Sequence, residues 1–235
     1  MISPEQEFGL KILSLDTSTP RGSIALMEGR EVAGELRLQS QETHSARLLA
    51  GIGFLLNSTG WELADVNLIV VGIGPGSFTG IRIGAATALG LAQSLAVAFV
   101  GISGLDALAH QLPGVEGRIG VVMDAQRSQV YYAEYVSSHG RIRKDKEPAL
   151  LDPGNLACNL RRARVHLIGD GAIRYAAEMK VPKAGWPRFV DADLYLAASL
   201  GRIALDRRRW WQSGECPSCK PLYIRPPDAM KLRRK

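Results

Sequence analysis

The stretch KILSLDTSTPRGSIALM, residues 11–27, decides the fold class. Residues 11–16 are an apolar run that ends in Asp16, residues 17–22 are polar, and residues 23–27 are apolar again. This order predicts two short strands joined by a turn. Residues 31–38 have the composition of a third strand, so the chain begins with a small antiparallel sheet.

A βαβ unit is predicted directly after this sheet. The spacing of leucine and isoleucine over residues 43–57 predicts a helix. Residues 66–73, VNLIVVGI, predict a buried strand, residues 81–95 a second helix and residues 97–102 another strand. A strand, a glycine-rich loop, a helix and a strand in this order are typical of α/β proteins.

The pattern of the first hairpin recurs in the second half of the chain. Residues 118–124 are an apolar run ending in Asp124, and a short polar turn separates them from the apolar residues 129–136. The repeat predicts two duplicated α/β lobes, which we place at residues 1–110 and 111–235. Residues 140–153 are polar and charged and are assigned no element. The remaining predicted elements are a helix over residues 155–164, a strand over 165–168 and an amphipathic helix over 195–208.

Composition and charge exclude several classes of protein. The three cysteines are too few for a disulfide framework, and no secretory signal pattern opens the sequence, so we expect a cytoplasmic protein. Residues 83–105 carry no charge, but their glycines and their β-like second half favour a buried helix and strand over a membrane span. Residues 201–235 contain ten Lys and Arg against three Asp and Glu, whereas the whole chain has a net charge of +6.

Two features of the sequence suggest a ligand site. An aspartate at a strand end followed by Thr-Ser-Thr can hold a metal ion and a phosphate, or can simply cap its own turn. The glycines of GPGSFTG, residues 74–80, allow a ligand to approach a helix N-terminus, or allow tight packing of the helix on a strand. A nucleotide or a cleft between the lobes would involve Asp16, Thr17, Ser18, Thr19, Gly74, Gly76, Ser77 and Asp124.

Small residues recur every fourth position in the helix that follows the glycine loop. They are Gly80, Gly84, Ala88 and Ala92. One face of this helix is therefore nearly flat, so another helix can approach closely. That second helix can belong to the same fold or to a dimer partner.

Several motifs taken together resemble the TsaB family, also called YeaZ. They are LSLDTST at residues 13–19, THS at 43–45, GIGPGSFTGIRIG at 72–84, MDAQRSQVYYAEY at 123–135, GDGA at 169–172 and PLYIR at 221–225. The resemblance covers nearly the whole chain. It implies an actin-like, ribonuclease-H-like (ASKHA) fold of two duplicated lobes, in agreement with the internal repeat.

The resemblance also implies a function and partners. TsaB proteins support a catalytic paralogue, TsaD, together with the ATPase TsaE. The complex moves a threonylcarbamoyl group from threonylcarbamoyl-adenylate to N6 of the adenosine beside the anticodon in ANN-reading tRNAs. ATP and a metal ion are then expected only through the partner subunits, and this chain is expected to be a required subunit with no cofactor and no catalytic residue of its own.

The positions that correspond to the metal-binding His-x-x-x-His pair of the catalytic paralogue are Gly104 and Leu108. Neither residue can coordinate a metal ion, so the sequence favours a non-catalytic scaffold. Asp106 and His110 remain as an alternative metal site.

We expect the scaffold to pair with TsaD, or with a second copy of itself, through helices of the first lobe. The predicted partner-binding residues are Ile81, Gly84, Ala85, Ala88, Leu91 and Ala92, with His44, Leu48 and Ile52 beside them.

The basic C-terminal region suits contact with tRNA phosphates, with tryptophans nearby for stacking on bases. The candidate residues are Arg207, Arg208, Arg209, Lys231, Arg233, Arg234 and Lys235. A purely solubilising tail would have the same composition. Cys216 and Cys219 form a single C-x-x-C pair, for which a surface loop is a simpler interpretation than a redox or zinc site.

A different class of function stays open at this point. The chain could be a small ATPase or phosphotransferase that holds a metal and nucleotide between Asp16 and Asp124, or a peptidase-like enzyme. The turn DAQRS at residues 124–128 lacks the glycine that a phosphate would need, and the sequence shows no H-E-x-x-H motif.

Overall fold

The computed structural model describes residues 9–39, 45–160, 164–182, 185–212 and 220–224. The chain divides into two compact units. Unit 1 contains residues 1–107 and 195–222, and unit 2 contains residues 108–194 and 223–235. No helix of the described residues is long and apolar enough to cross a membrane.

Unit 1 is built on a five-stranded mixed sheet with the strand order β3-β2-β1-β4-β5. The strands are β1 Lys11–Asp16, β2 Arg21–Glu28, β3 Glu31–Gln39, β4 Leu68–Gly72 and β5 Ala98–Ile102. Strands β1, β2 and β3 are antiparallel neighbours, whereas β4 and β5 run parallel to β1. The hairpin and the βαβ unit predicted from the sequence are therefore confirmed.

Helices cover both faces of this sheet. They are α1 Ser45–Thr59, α2 Phe78–Leu95, α6 Ala197–Asp206 and α7 Arg208–Gln212, and the short helix α3 Gly104–Ala109 follows β5. Helices α1 and α2 share one apolar core with Leu13 and Leu15 of β1. Helix α6 packs on β1, β2 and β4, and the Ser14 hydroxyl donates a hydrogen bond of 2.6 Å to the carbonyl oxygen of Ala197.

Unit 2 repeats the sheet of unit 1 with the order β8-β7-β6-β9-β10. The strands are β6 Gly117–Asp124, β7 Val130–Ser138, β8 Arg141–Leu151, β9 Val165–Ile168 and β10 Arg188–Phe189. Helices α4 Pro153–Leu160 and α5 Asp170–Arg174 complete the unit. Since strand order and strand directions match those of unit 1, the duplication is confirmed, and the architecture is that of the actin-like (ASKHA) fold.

Two sequence-based assignments need correction. Residues 141–151, assigned no element, form strand β8, whose charged residues are tolerated because β8 is an edge strand exposed to solvent. Residues 195–222, assigned to the second lobe, belong to unit 1, because the buried face of α6 covers the sheet face opposite α1 and α2. Amphipathic spacing identifies a buried helix face but not the sheet that buries it.

Candidate functional site

The glycine loop between β4 and α2 packs on the turn between β1 and β2. The backbone N–H of Ser77 donates to the carbonyl oxygen of Ser18 at 2.7 Å, and the Thr17 hydroxyl donates to the carbonyl oxygen of Gly80 at 2.7 Å. A Cβ atom at Gly76 or Gly80 would overlap the carbonyl oxygens of Ser18 and Thr17, respectively. The two glycines therefore make room for the protein's own turn.

The β1–β2 turn is enclosed as well. The side chains of Asp16, Thr17 and Ser18 are at most 1% exposed, and one carboxylate oxygen of Asp16 accepts the N–H of Ser18 at 3.1 Å. Thr19 is half-buried, and its hydroxyl oxygen accepts the N–H of Arg21 at 3.2 Å. The structure thus brings the predicted nucleotide-site residues of unit 1 together in one packed feature.

Gly74 and Ser77 have structural roles in the same loop. The carbonyl oxygen of Gly74 accepts hydrogen bonds from the hydroxyl of Ser103 at 3.2 Å and from the N–H of Gly104 at 2.9 Å. The Ser77 hydroxyl caps α2 by accepting the N–H of Gly80 at 3.2 Å. These contacts fix the start of α2 against β5.

In unit 2, a cation from the same unit neutralises the carboxylate of Asp124. Arg174 donates from Nη1 to Oδ2 at 2.6 Å, and the Tyr175 hydroxyl donates to Oδ1 at 3.0 Å. Burial, this hydrogen bond and the charge of Asp124 raise the pKa of the Tyr175 phenol. Asp124 also accepts the N–H of Gln126 at 2.9 Å, which helps hold a turn whose residues 126–128 have φ of 54–59°. A metal ion at Asp124 would have to displace Arg174.

The small-residue face of α2 points into the core. Four of the residues predicted to bind a partner are buried. They are Ile81, Gly84, Ala88 and Ala92. A Cβ atom at Gly84 would overlap the Thr17 hydroxyl and lie 3.5 Å from Val71, so the flat face packs on the β1–β2 turn and on β4. Leu48 and Ile52 of α1 are also buried, with 3% and 4% exposure. These six residues are corrections to the predicted partner surface.

The remaining predicted partner residues have different placements. Ala85 and Leu91 are half-buried. His44 lies outside the described residues.

Large apolar side chains on the outer faces of the same two helices are exposed instead. Leu49 and Phe54 of α1 are 58% and 61% exposed, and Leu89 of α2 is 44% exposed. We call these three residues the apolar helix face. Sequence reasoning missed it, although a signal was present: residues 48–56, LLAGIGFLL, are apolar on every side of the helix, whereas a simple surface helix has one apolar stripe.

Asp106, an alternative metal ligand in the sequence analysis, is bound by an arginine. Nη2 of Arg207 donates to Oδ2 of Asp106 at 2.8 Å, and the Asp106 side chain is only 8% exposed. Among the described residues, no group of three or more His, Cys, Asp or Glu side chains could hold a metal ion. Arg207 pairs with Asp106 and stays a predicted tRNA contact.

The other basic residues proposed to contact tRNA differ in how far the structure describes them. Arg208 is half-buried, with its guanidinium carbon 5.8 Å from the Trp211 ring centre, and Arg209 is exposed. Both remain predicted tRNA contacts. Lys231, Arg233, Arg234 and Lys235 lie outside the described residues, as do Cys216 and Cys219.

One residue of the PLYIR motif contacts the chain next to the glycine loop. The N–H of Leu222 donates to the carbonyl oxygen of Ile73 at 2.8 Å, which places Leu222 beside the loop. Leu222 and the glycine loop, which are far apart in sequence, therefore belong to one structural feature of unit 1.

Comparison with known proteins is consistent with this architecture. Residues 37–192 match the family described as TsaD: tRNA N6-adenosine threonylcarbamoyltransferase. The tRNA threonylcarbamoyladenosine biosynthesis protein TsaB of Escherichia coli is 35% identical over 147 residues, which cover 61% of this chain and 63% of that protein. TsaB of Buchnera aphidicola is 30% identical over 165 residues, covering 68% of this chain and 78% of that protein.

A solved structure extends the match over the whole fold. YeaZ from Pseudomonas aeruginosa superimposes with a TM-score of 0.73 and 28% identity, covering 91% of this chain and 99% of that one. With these relatives and the duplicated sheets described above, the chain belongs to the TsaB (YeaZ) family, within the larger threonylcarbamoyltransferase family that its residues 37–192 match.

Proposed function

We propose that this chain acts in tRNA threonylcarbamoyladenosine biosynthesis as a non-catalytic subunit that binds a TsaD-type catalytic paralogue through the apolar helix face. The assembled complex transfers threonylcarbamoyl from threonylcarbamoyl-adenylate to N6 of the adenosine beside the anticodon in ANN-reading tRNAs. In this proposal the partner subunits, TsaD and the ATPase TsaE, supply the metal ion and the ATP site.

The exposure of Leu49, Phe54 and Leu89 is the observation that carries the proposal. Burying a large apolar side chain contributes about 1.5–3 kcal/mol, so the exposure of three of them on α1 and α2 favours association. Gly53 of α1 and Gly90 of α2 have nothing within 4 Å of a Cβ position. Because these glycines have no side chains, a helix of a partner protein can pack closely against α1 and α2.

The non-catalytic role has support from the candidate sites. The carboxylate of Asp124 is bound by Arg174 and Tyr175, and the β1–β2 turn is filled by the glycine loop. Gly104 and Leu108, which stand where the resemblance places metal ligands, have no coordinating atoms in their side chains. The chemistry is therefore assigned to the partner.

The experiment is a rescue of tRNA modification in cells depleted of this protein. Threonylcarbamoyladenosine is measured in tRNA hydrolysates by mass spectrometry, and the catalytic partner is measured by co-purification. We expect Phe54→Asp combined with Leu89→Asp to lose both rescue and partner. Ile173→Asp is the matched control, because Ile173 is also an exposed apolar residue, with 63% exposure, but lies in unit 2.

Two results would contradict the proposal. One is full rescue and partner retention by the double variant, and the other is failure of the wild-type chain to restore the modified nucleoside. If that first result comes with loss of self-association, the apolar helix face is a homodimer surface and not the surface that binds the catalytic partner.

A further inference from the structure

The charged residues of unit 2 are segregated between the two ends of its sheet. Strands β6, β8, β9 and β10 run in the same direction, because β6 and β8 are both antiparallel to β7 and because β9 and β10 are parallel to β6. Each of the four strands has an arginine at or next to its first residue. These are Arg118 in β6, Arg141 in β8, Arg164 directly before β9 and Arg188 in β10.

Aspartates follow the same strands at the other end. Asp124 ends β6, and Asp152, Asp170 and Asp191 come one or two residues after β8, β9 and β10. The register confirms that the arginines share one end of the sheet, because Arg118 pairs with Val165, the residue after Arg164. Arg188 pairs with His166, one residue further along β9. Together with Arg143 of β8, we call these residues the arginine edge.

Most of the arginine edge is accessible. Arg141, Arg164 and Arg188 are exposed, and the side chains of Arg143 and Arg118 are 75% and 41% exposed. Three acidic residues of the described part of unit 2 lie nearby. Glu134 is buried beneath Arg118 and Lys146, Glu116 accepts the N–H of His139, and Asp145 lies 3.6 Å from Arg143. The five arginines outnumber these acids, so the edge keeps a positive charge.

Protection against edge-to-edge aggregation does not account for the pattern. Such protection places cations on outer strands, which here are β8 and β10. Arg118 and Arg164 belong to the inner strands β6 and β9, where no strand edge is open. Arg118 and Arg164 instead fill the row of arginines between the two outer strands, at the same end of the sheet.

We infer that the arginine edge binds the phosphate backbone of tRNA. Neighbouring strands are about 4.8 Å apart, so the row from β8 to β10 spans roughly 19 Å, a length over which a nucleic-acid backbone presents several phosphates. Arginine forms bidentate hydrogen bonds with phosphate oxygens, and nothing in this row requires a particular base. At one end of the row, Phe189 is 40% exposed and Trp186 lies under the Arg188 guanidinium, with 4.7 Å to the ring centre, which offers aromatic surface for stacking.

The identification of the RNA as tRNA rests on the proposed function. The test measures binding of the purified full-length protein to an unmodified, fluorescently labelled tRNA that reads an ANN codon. Fluorescence anisotropy gives Kd at several KCl concentrations. The test variant is Arg141→Gln/Arg143→Gln/Arg164→Gln, which leaves Arg118 and Arg188 in place because they contact buried groups. The control is Arg82→Gln/Arg127→Gln/Arg202→Gln, which removes three exposed cations elsewhere.

Each lost phosphate contact lowers the slope of log Kd against log salt by about 0.7–0.9. We therefore expect the test variant, which loses three contacts, to lose about two to three units of slope and the control to lose none, with unchanged far-UV circular dichroism for both. Equal losses in both variants, no loss in the test variant, or no binding by the wild-type protein would overturn the inference. Displacement of tRNA by poly-glutamate at equal charge concentration would overturn it in favour of an acidic protein partner.

The rescue assay distinguishes this inference from the proposed function. If the binding test overturns the arginine edge but the wild-type chain still restores the modified nucleoside, the proposed function stands. If the wild-type chain fails to restore the modified nucleoside but its tRNA binding depends on the three arginines, the arginine edge is a general RNA-binding surface.

Discussion

Gly80, in the first turn of α2, lies directly against the backbone of Thr17, so that a Cβ atom at position 80 would overlap the Thr17 carbonyl oxygen. The same pair is joined in the other direction by the hydrogen bond from the Thr17 hydroxyl to the Gly80 carbonyl oxygen at 2.7 Å. The strand β1, its turn and the helix α2 are therefore held as one packed feature, and glycine at position 80 is a requirement of that packing.

Replacing Gly80 with alanine should destabilise the protein. The added methyl group overpacks the contact with Thr17, which costs about 1–3 kcal/mol in free energy of unfolding. Gly90→Ala is the control on the same helix, because a Cβ at Gly90 has nothing within 4 Å, and it should stabilise by about 0.5–1 kcal/mol through helix propensity. Urea unfolding followed by circular dichroism measures both. A stable Gly80→Ala variant would show that the turn can move away.

Glu134 should make stability depend on acid pH. Burial opposes its charged form, but hydrogen bonds from Lys146, Arg118 and Tyr132 outweigh burial and hold the pKa of Glu134 below its ordinary value. A lowered folded-state pKa gives stability that is present above the unfolded-state pKa and is lost as pH falls through the folded one. Glu134→Gln should therefore destabilise at pH 7, by about 1–3 kcal/mol, and much less below the folded-state pKa.

The matched control for Glu134 is Glu147→Gln, an exposed carboxylate on the neighbouring strand β8. Free energies of unfolding at pH 7 and in acid, taken from urea titrations, give the comparison. Equal pH dependence of the two variants would show that Lys146, Arg118 and Tyr132 do not stabilise the ionised form of Glu134.

His166 should also make the free energy of unfolding fall as the pH is lowered, but at a higher pH than Glu134 does. Burial, followed by the charge of Arg188, lowers the pKa of this imidazole, whose Nε2 lies 2.7 Å from Nη2 of Arg188. The unfolded chain then binds more protons than the folded one below about pH 6.5, so stability falls as pH drops through this range. His166→Gln should flatten the profile between about pH 5 and 7. Arg188→Met should raise the pKa of His166, and NMR titration of the ring measures that change.

Nucleotide binding separates the scaffold from the enzyme interpretation. With Arg174 on Asp124 and the β1–β2 turn filled, Mg²⁺ and ATP should leave the melting temperature of the isolated protein unchanged. A ligand present at 100 times its Kd would stabilise by about 2.7 kcal/mol, which differential scanning fluorimetry detects readily. A shift that Asp124→Asn abolishes would favour the phosphotransferase alternative.

The sequence predicts the elements of this fold better than their partners. Asp16 and Asp124 mark equivalent strand ends, and the spacing between them reveals the duplication because each hairpin is a local structure. Strand β8 was missed because an edge strand needs no apolar alternation when solvent covers one side. Helix α6 was placed in the wrong unit because its contacts with β1 and β2 join residues far apart in the chain.

The candidate site was predicted less well, for a related reason. Small residues such as Gly84 and Ala88 allow close packing but do not indicate whether the neighbour belongs to the same chain. The exposure of Phe54 depends on which side of α1 the sheet occupies, and an all-round apolar helix leaves that side open. Arg174 pairs with Asp124, and Arg207 pairs with Asp106. Both pairs join residues far apart in the chain, so no local sequence pattern predicts them.

The return of α6 to unit 1 has a consequence for synthesis of the chain. Residues 108–194 of unit 2 are continuous, whereas unit 1 requires residues 195–222 to cover the second face of its sheet. On the ribosome, all strands of unit 1 therefore emerge first, but its sheet keeps one apolar face uncovered until α6 follows the whole of residues 108–194. A truncated product that stops before Ala197 would keep that face exposed to water, so release of incomplete chains should yield aggregation-prone material.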